Sequence, residues 1–127
     1  MRARLLFGVL AAAIFAAASA FAQAAETVSI SVDTSKGYAR IVFGWPKPVT
    51  AEATISDGIL VVTFARPFQF APGVMNVPLD DYVSVIKQDA SMKTLRLSLT
   101  GKFRVHKSIG GPLVAIDLLP QEMAGDP

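Results

Sequence analysis

The sequence predicts an all-β protein, a β-sandwich of two short-stranded sheets with a weak internal two-fold repeat, which follows a cleaved signal peptide. After position 25, apolar residues alternate with polar ones at a period of two, as in half-buried strands, and no long segment has helical spacing. Turn residues separate seven or eight such segments. Short, regularly spaced strands of this kind favour a sandwich or a barrel.

The first 24 residues have the pattern of an export signal. Arg2 and Arg4 precede an uncharged run over 5–22, and positions 22–24 give the small-x-small pattern of a cleavage site. An uncleaved anchor is the alternative, because the run approaches the roughly 20 residues that cross a bilayer. The run is rich in alanine, however, and no stop-transfer charges follow it. We expect cleavage before Ala25 and no stable membrane insertion afterwards.

The composition argues against a nucleic-acid-binding protein and against a protein held by disulfides or anchored through a lipobox cysteine. Lys and Arg number 12 against 10 Asp and Glu, but Arg2 and Arg4 belong to the leader, so residues 25–127 carry ten of each. The pI of about 9.2 therefore comes largely from the leader, and nucleic acid is not an expected partner. The chain has no cysteine, so it has neither a disulfide framework nor a lipobox and must be held by its core.

The first half of the expected domain contains three strand patterns and one clear hairpin. A strand over 28–32 is followed by a turn at 35–37 and by a strand that ends at Pro46. In that second strand the residues expected to face the core are Ala39, Ile41, Phe43 and Trp45, and Arg40 faces away. Asp57-Gly58 then predicts a hairpin that joins 50–55 to 59–64. The second arm, ILVVTF, is nearly all apolar, which predicts a strand covered on both faces.

The second half begins with an irregular connection and continues with more strands. Prolines and a glycine interrupt 66–81, where a single helical turn near 79–82 is the most that we expect. Strands are predicted over 83–87, 94–100, 102–107 and 112–120. Their expected core residues are Leu95, Leu97, Leu99, Phe103, Val105, Val114, Ile116 and Leu118. The domain should thus span 25–120, and 121–127 should be a flexible tail or the start of a linker, which leaves open that the chain is part of a longer protein.

An internal repeat links the two halves. "ARIVF", a polar strand, a Gly turn and "ILVVTFARP" are echoed by "LRLSL", a polar strand, a double Gly and "LVAIDLLP", displaced by about 53 to 56 positions. Two such halves would cover each other's apolar faces, which an isolated hairpin cannot do in water.

These motifs resemble those of the AMIN domain over roughly residues 28–120. The resemblance rests on the "ARIVF" strand, on the apolar "LVV" strand after a Gly turn and on the closing "VAIDLLP". It implies a periplasmic β-sandwich of two symmetric sheets that targets its host protein to peptidoglycan or to envelope partners. AMIN members often have an acidic residue in the first LVV strand, where this chain has Thr63 and Phe64; the second copy keeps it as Asp117.

The residues needed for catalysis are not brought together by any motif. Hydrolysis requires a nucleophile with a positioned base, or a metal with at least three ligands. The sequence has one histidine, His106, and neither HExxH nor GxSxG. The adjacent Asp80 and Asp81 are expected to form a solvated turn. We therefore expect no enzyme and no cofactor.

The candidate binding surface is a cationic strand face. Lys102, Arg104 and His106 alternate with apolar residues, so they should share one outward face, and Arg96 on the preceding strand should extend it. Such a stripe suits the carboxylates of peptidoglycan stems, with each exposed pair contributing about 0 to 1 kcal/mol. The alternative is that these are ordinary edge-strand cations, which prevent unwanted strand pairing.

Aromatic residues give a second candidate. Trp45 lies between Gly44 and Pro46 and is a candidate for stacking on a sugar, although tryptophan is on average highly buried. Phe68 and Phe70 are expected in the core. Two functions stay open: a non-catalytic module that binds peptidoglycan or another anionic wall polymer, and a protein–protein interaction domain that assembles an envelope complex.

Overall fold

The computed structural model describes residues 24–71 and 78–127, which form nine strands. The predicted signal peptide, apart from Ala24, lies outside these residues. The strands are β1 (Glu26–Asp33), β2 (Ala39–Gly44), β3 (Ala51–Ser56), β4 (Ile59–Phe64), β5 (Phe68–Phe70), β6 (Val83–Gln88), β7 (Thr94–Leu99), β8 (Phe103–Gly110) and β9 (Leu113–Pro120).

The strands form two sheets packed face to face. The five-stranded sheet has the order β5-β1-β2-β9-β8 and the four-stranded sheet the order β3-β4-β7-β6. Neighbouring strands are antiparallel except for β1 and β5, which are parallel. The predicted all-β sandwich is confirmed.

The strand order has an internal two-fold correspondence. Strands β1 to β4 correspond to β6 to β9, because β1-β2-β9-β8 in one sheet matches β6-β7-β4-β3 in the other. Each sheet therefore joins a hairpin from one half of the chain to a hairpin from the other. Neither half contains a complete sheet, so neither can bury its apolar face without the other.

The predicted hairpin at Asp57-Gly58 is present, and its backbone explains the sequence. Ser56 and Ile59 are paired, and the two loop residues between them have φ angles of 51° and 74°. Positive φ at both central positions is what a type I′ turn requires, and Asp-Gly adopts it at low cost. This turn fixes the register of β3 against β4.

The core lies between the sheets, with aromatic rings at its centre. Ala39, Ile41 and Phe43 of β2 are fully buried and Trp45 is 5% exposed, as the alternation predicts. The Phe64 ring of the four-stranded sheet lies 5.2 Å from that of Phe43 and 5.1 Å from that of Trp45, measured between ring centroids. Aromatic rings from the two sheets are therefore in direct contact, within a core that otherwise consists of aliphatic side chains.

Two details differ from the sequence prediction. The outer face of β4 is not covered, since Ile59 and Val61 are only half-buried and Thr63 is exposed. In addition, a short strand, β5, lies in the proline-interrupted connection, because Glu26 to Val28 of β1 offers it a parallel partner. The single turn predicted near Leu79 is present: the Leu79 carbonyl accepts hydrogen bonds from the N–H groups of Tyr82 and Val83, both at 2.8 Å.

Two side-chain hydrogen bonds connect edge strands of the two sheets, one on each side of the sandwich. The Lys107 ammonium donates to the Ala51 carbonyl at 2.7 Å, which links β8 to the edge of β3. On the opposite side, the Gln88 amide donates to the Phe68 carbonyl at 2.7 Å and links β6 to β5. These contacts occupy edge carbonyls that would otherwise be available to another strand.

Truncation of the Phe64 side chain should weaken the packing of the two sheets and lower the stability of the fold. We expect Phe64→Ala to lower the free energy of unfolding by about 3–5 kcal/mol, because it removes a buried aromatic side chain and leaves a cavity. The exposed Thr54→Ala is the control and should change stability by about 0.5 kcal/mol or less. Urea unfolding followed by Trp45 fluorescence measures both, and equal midpoints for the two variants would contradict the central role of Phe64.

Candidate functional site

The cationic residues on and next to β8 differ in orientation and in contacts, so they do not form one stripe of unpaired charges. Arg104 and His106 lie on the outer face of the five-stranded sheet and are half-buried, and the exposed Lys102 immediately precedes the strand. Lys107 points to the other side, toward β3. The alternation on β8 is as predicted, but the contacts of each cation differ.

Arg104 is occupied by the C-terminal segment. Its guanidinium pairs with the Asp126 carboxylate at 2.5 Å and donates to the carbonyls of Met123, at 3.1 Å, and of Gly125. The segment predicted to be a flexible tail therefore contacts the outer face of the sheet. This attachment takes Arg104 out of the set of cations available to an external anion.

A buried ion pair lies beside Arg104 on the same face. Asp117 of β9 has no solvent exposure, and Arg40 of β2 binds it bidentately: Nε donates to Oδ1 at 2.8 Å and Nη2 donates to Oδ2 at 2.9 Å. These hydrogen bonds raise the pKa of Arg40 above its ordinary value. The Arg40 charge is thus compensated by Asp117, whereas the sequence suggested only that it faces away from the core.

His106 completes a row of polar side chains across the five-stranded sheet. Its Nδ1 lies 3.5 Å from Oδ2 of Asp117. In register, Asp33 of β1, Arg40 of β2, Asp117 of β9 and His106 of β8 are successive neighbours. Acidic and basic groups alternate along this row, so the favourable cross-strand pairs stabilise the sheet.

The equivalent row of the four-stranded sheet is neutral at its centre. When the two halves of the repeat are aligned by their strand registers, residue 40 is equivalent to 94, residue 63 to 117 and residue 52 to 106. The two members of each equivalent pair are 54 positions apart. The counterparts of Arg40 and Asp117 are therefore Thr94 and Thr63, whose hydroxyl oxygens are 3.3 Å apart. The repeat keeps a polar pair at this place in both sheets, but only one pair is ionic.

Arg96 does not extend the β8 stripe, so that part of the sequence prediction is wrong. The chain crosses from the four-stranded to the five-stranded sheet between β7 and β8, and the two strands are not neighbours. Arg96 is exposed on the outer face of the four-stranded sheet, directly opposite Lys87 of β6. Alternation identified its outward direction, but no local signal indicated which sheet it belongs to.

Trp45 is a core residue, and its proposed stacking on a sugar is wrong. Its ring is 95% buried, packs against Phe64 and Phe68, and is covered by the Arg66 guanidinium at 5.2 Å from the ring centroid. The indole Nε1 is buried without a hydrogen-bond partner in the described part of the chain. A sugar has no access to either face of this ring.

The metal-binding residue types are dispersed over the described part of the chain. Across 24–71 and 78–127, no group of three or more histidines and carboxylates could hold a metal ion. Asp80 and Asp81 are exposed in the turn before β6. No helix in these same ranges is long and apolar enough to cross a bilayer. Comparison with protein-family models, curated proteins and solved structures finds no match to this chain.

Removal of Arg40 should lower the free energy of unfolding more than removal of the Asp117 charge. At pH 8, we expect Arg40→Met to lower the free energy of unfolding by about 3–5 kcal/mol, because the Asp117 carboxylate stays buried without its guanidinium. Asp117→Asn should cost only about 1–3 kcal/mol, because Arg40 is 35% exposed and can be solvated.

Urea unfolding of both variants, with the double variant Arg40→Met/Asp117→Asn as the control, measures this difference. The double variant should be more stable than Arg40→Met alone, since it contains no uncompensated buried carboxylate. A larger loss for Asp117→Asn than for Arg40→Met would show that burial of the carboxylate does not dominate.

The C-terminal attachment should be lost in acid. The hydrogen bond from Arg104 holds the pKa of Asp126 below its ordinary value of 3.8. A lowered folded-state pKa stabilises the attached form above pH 3.8, and that stabilisation is lost as the pH falls through the folded-state pKa. The amide signal of Gly125 in NMR spectra should shift over this interval. Asp126→Asn is the control and should abolish the shift; persistence of the shift would assign it to another group.

Proposed function

We propose that this protein is a non-catalytic module of the periplasm that binds peptidoglycan and is related to the AMIN domain. The observation that carries the proposal is the strand order, in which two equivalent, interlocked sheets are built from two halves of the chain. The AMIN resemblance implies a sandwich of two symmetric sheets, so the architecture supports it.

The position of the first strand supports export. β1 begins at Glu26, two residues after the last residue of the expected leader. The Glu26 N–H donates to the Pro67 carbonyl at 3.1 Å, and its carboxylate accepts from Arg66 at 2.6 Å. The predicted cleavage before Ala25 would therefore leave β1 and these contacts in the mature chain.

A wall polymer is a suitable ligand for exposed cationic side chains, each of which makes only a weak contact. Exposed ion pairs contribute about 0 to 1 kcal/mol each, so useful affinity requires several of them at once. A repeating polymer supplies many equivalent carboxylates, and several weak contacts then act together. A net charge near zero in residues 25–127 argues for local charge contacts and against attraction by the molecule as a whole.

A protein–protein interaction domain is the second candidate. The hairpin between β8 and β9 exposes two apolar side chains, Ile109 at 41% and Leu113 at 53%. The strand register places them on opposite faces of the sheet at the same hairpin tip, so a partner would have to enclose the tip to contact both. A photo-cross-linker at position 113 in intact cells should capture an envelope protein under this alternative, and recovery of monomer alone would count against it.

Co-sedimentation with purified peptidoglycan tests the first proposal. We expect the exported, processed protein to pellet with peptidoglycan at 0.01 M salt, and the bound fraction to fall at 0.15 M, where the Debye length is about 8 Å instead of about 30 Å. Chitin is the control polymer, because it is an amino-sugar chain without peptide carboxylates. Failure to pellet with peptidoglycan at low salt would refute the proposal, as would equal binding to chitin.

A further inference from the structure

We propose that the peptidoglycan-binding surface is the outer face of the four-stranded sheet, where Lys87 and Arg96 receive a carboxylate of a stem peptide. This inference rests on the proposed function and assigns it to a particular face. It differs from the cationic stripe on β8 that the sequence suggests, and it places Arg96 with Lys87 of β6.

The two cations are held side by side by the strand register. Lys87 and Arg96 are directly opposite each other across β6 and β7, and both are exposed. Leu95 and Leu97, on either side of Arg96, are buried, so Arg96 must point outward. Like charges at directly opposite positions destabilise a sheet. An anion bound between these two side chains would relieve that repulsion.

No acidic side chain of the described residues is in direct contact with this pair. The ion pairs formed within 24–71 and 78–127 include neither Lys87 nor Arg96. Glu52, at the far edge of the same sheet, lies 3.6 Å from Lys107. Asp89 follows β6 and accepts hydrogen bonds from the Ser91 hydroxyl, at 2.5 Å, and from the Ser91 N–H, at 3.1 Å. These bonds are the main reason that the pKa of Asp89 is lowered, and the charge of Arg96 adds a smaller contribution without forming an ion pair.

The five-stranded sheet provides an internal comparison. On its outer face Arg40 is neutralised by Asp117, and Arg104 is bound to Asp126. His106 faces the same buried carboxylate. The two-fold repeat thus gives the molecule two equivalent outer faces, and their charges distinguish them. The face with Lys87 and Arg96 is the one on which two neighbouring cations lie outside the ion pairs seen in the described ranges.

The surroundings of the two cations fit a short peptide that ends in a carboxylate. Arginine binds a carboxylate bidentately, and lysine adds a second charge next to it. Val61 is the cross-strand neighbour of Arg96 on β4, and Val85, 45% exposed, precedes Lys87 on the same face of β6. These apolar groups can contact the small side chains of a stem peptide while its carboxylate reaches the cations.

This arrangement predicts opposite effects of one substitution on stability and on binding. Lys87→Glu places a carboxylate opposite Arg96 and converts a repulsive pair into an attractive one. We expect Tm to rise by about 1–6 °C. The same change occupies Arg96 internally and repels a stem carboxylate, so the affinity for peptidoglycan should fall roughly fivefold. A merely structural role would move both quantities in the same direction.

The experiment measures peptidoglycan co-sedimentation and Tm for four forms of the exported, processed protein. They are the unmodified chain, Lys87→Glu, the double variant Lys87→Glu/Arg96→Glu and the control Lys102→Glu. The double variant should bind roughly twentyfold more weakly than the unmodified chain. Lys102→Glu reverses one charge on an exposed residue outside the proposed face and should alter affinity less than about twofold. Peptidoglycan with amidated stem carboxylates should not bind the unmodified chain.

Each result supports or overturns the assignment. Binding of the unmodified chain that the double variant retains would overturn the face but leave the proposed function intact. A loss caused by Lys102→Glu and not by Lys87→Glu would transfer the site to β8. Undiminished binding to amidated peptidoglycan would overturn the carboxylate as the ligand and favour phosphate groups of a wall polymer. Failure of the unmodified chain to bind peptidoglycan would refute both the function and the site.

Discussion

The contact of Phe64 with the rings of Phe43, Trp45 and Phe68 is the interaction on which the remaining structure depends. Phe64 belongs to the four-stranded sheet, whereas Phe43 and Phe68 belong to the five-stranded sheet, so the cluster joins the two layers. Aromatic pairs of this kind contribute about 0.5–1.5 kcal/mol beyond the area that they bury. A chain without cysteine has no disulfide between the layers. Its stability therefore depends on this packing and on the interlocking of the two halves.

Interlocking also explains why the two outer faces are equivalent in shape and different in charge. Each sheet receives hairpins from both halves, so the repeat places matching positions at the centre of each outer face. In one sheet the matching pair is Arg40 and Asp117, and in the other it is Thr94 and Thr63. Sequence divergence between the halves can thus change the charge of one face without altering the packing beneath it. A binding surface on one face needs no further change of fold.

Several features followed from local sequence. The alternation in β2 identified Ile41 and Phe43 as core residues, and Asp57-Gly58 located the hairpin that joins β3 and β4. These features depend on the period-two geometry of a strand and on the backbone angles of a turn, both of which involve neighbouring residues. The strand β5 was missed because it is three residues long and is defined by a partner more than 40 positions earlier. The site is predicted least well, because alternation indicates neither that Arg96 belongs to the other sheet nor that Asp126 of the C-terminal segment pairs with Arg104.

By itself, the sequence determined the all-β class, the core-facing side of strands with clear alternation, such as β2, and the lack of disulfides, because these depend on residue type and on spacing along the chain. Only the tertiary structure decided which strands are neighbours, and therefore which charges meet. Arg40 and Asp117 are separated by 77 positions yet form a bidentate ion pair, whereas the cations Lys87 and Arg96 are directly opposite each other. Alternation fixes the direction of a side chain, but the pairing of distant strands fixes what it contacts.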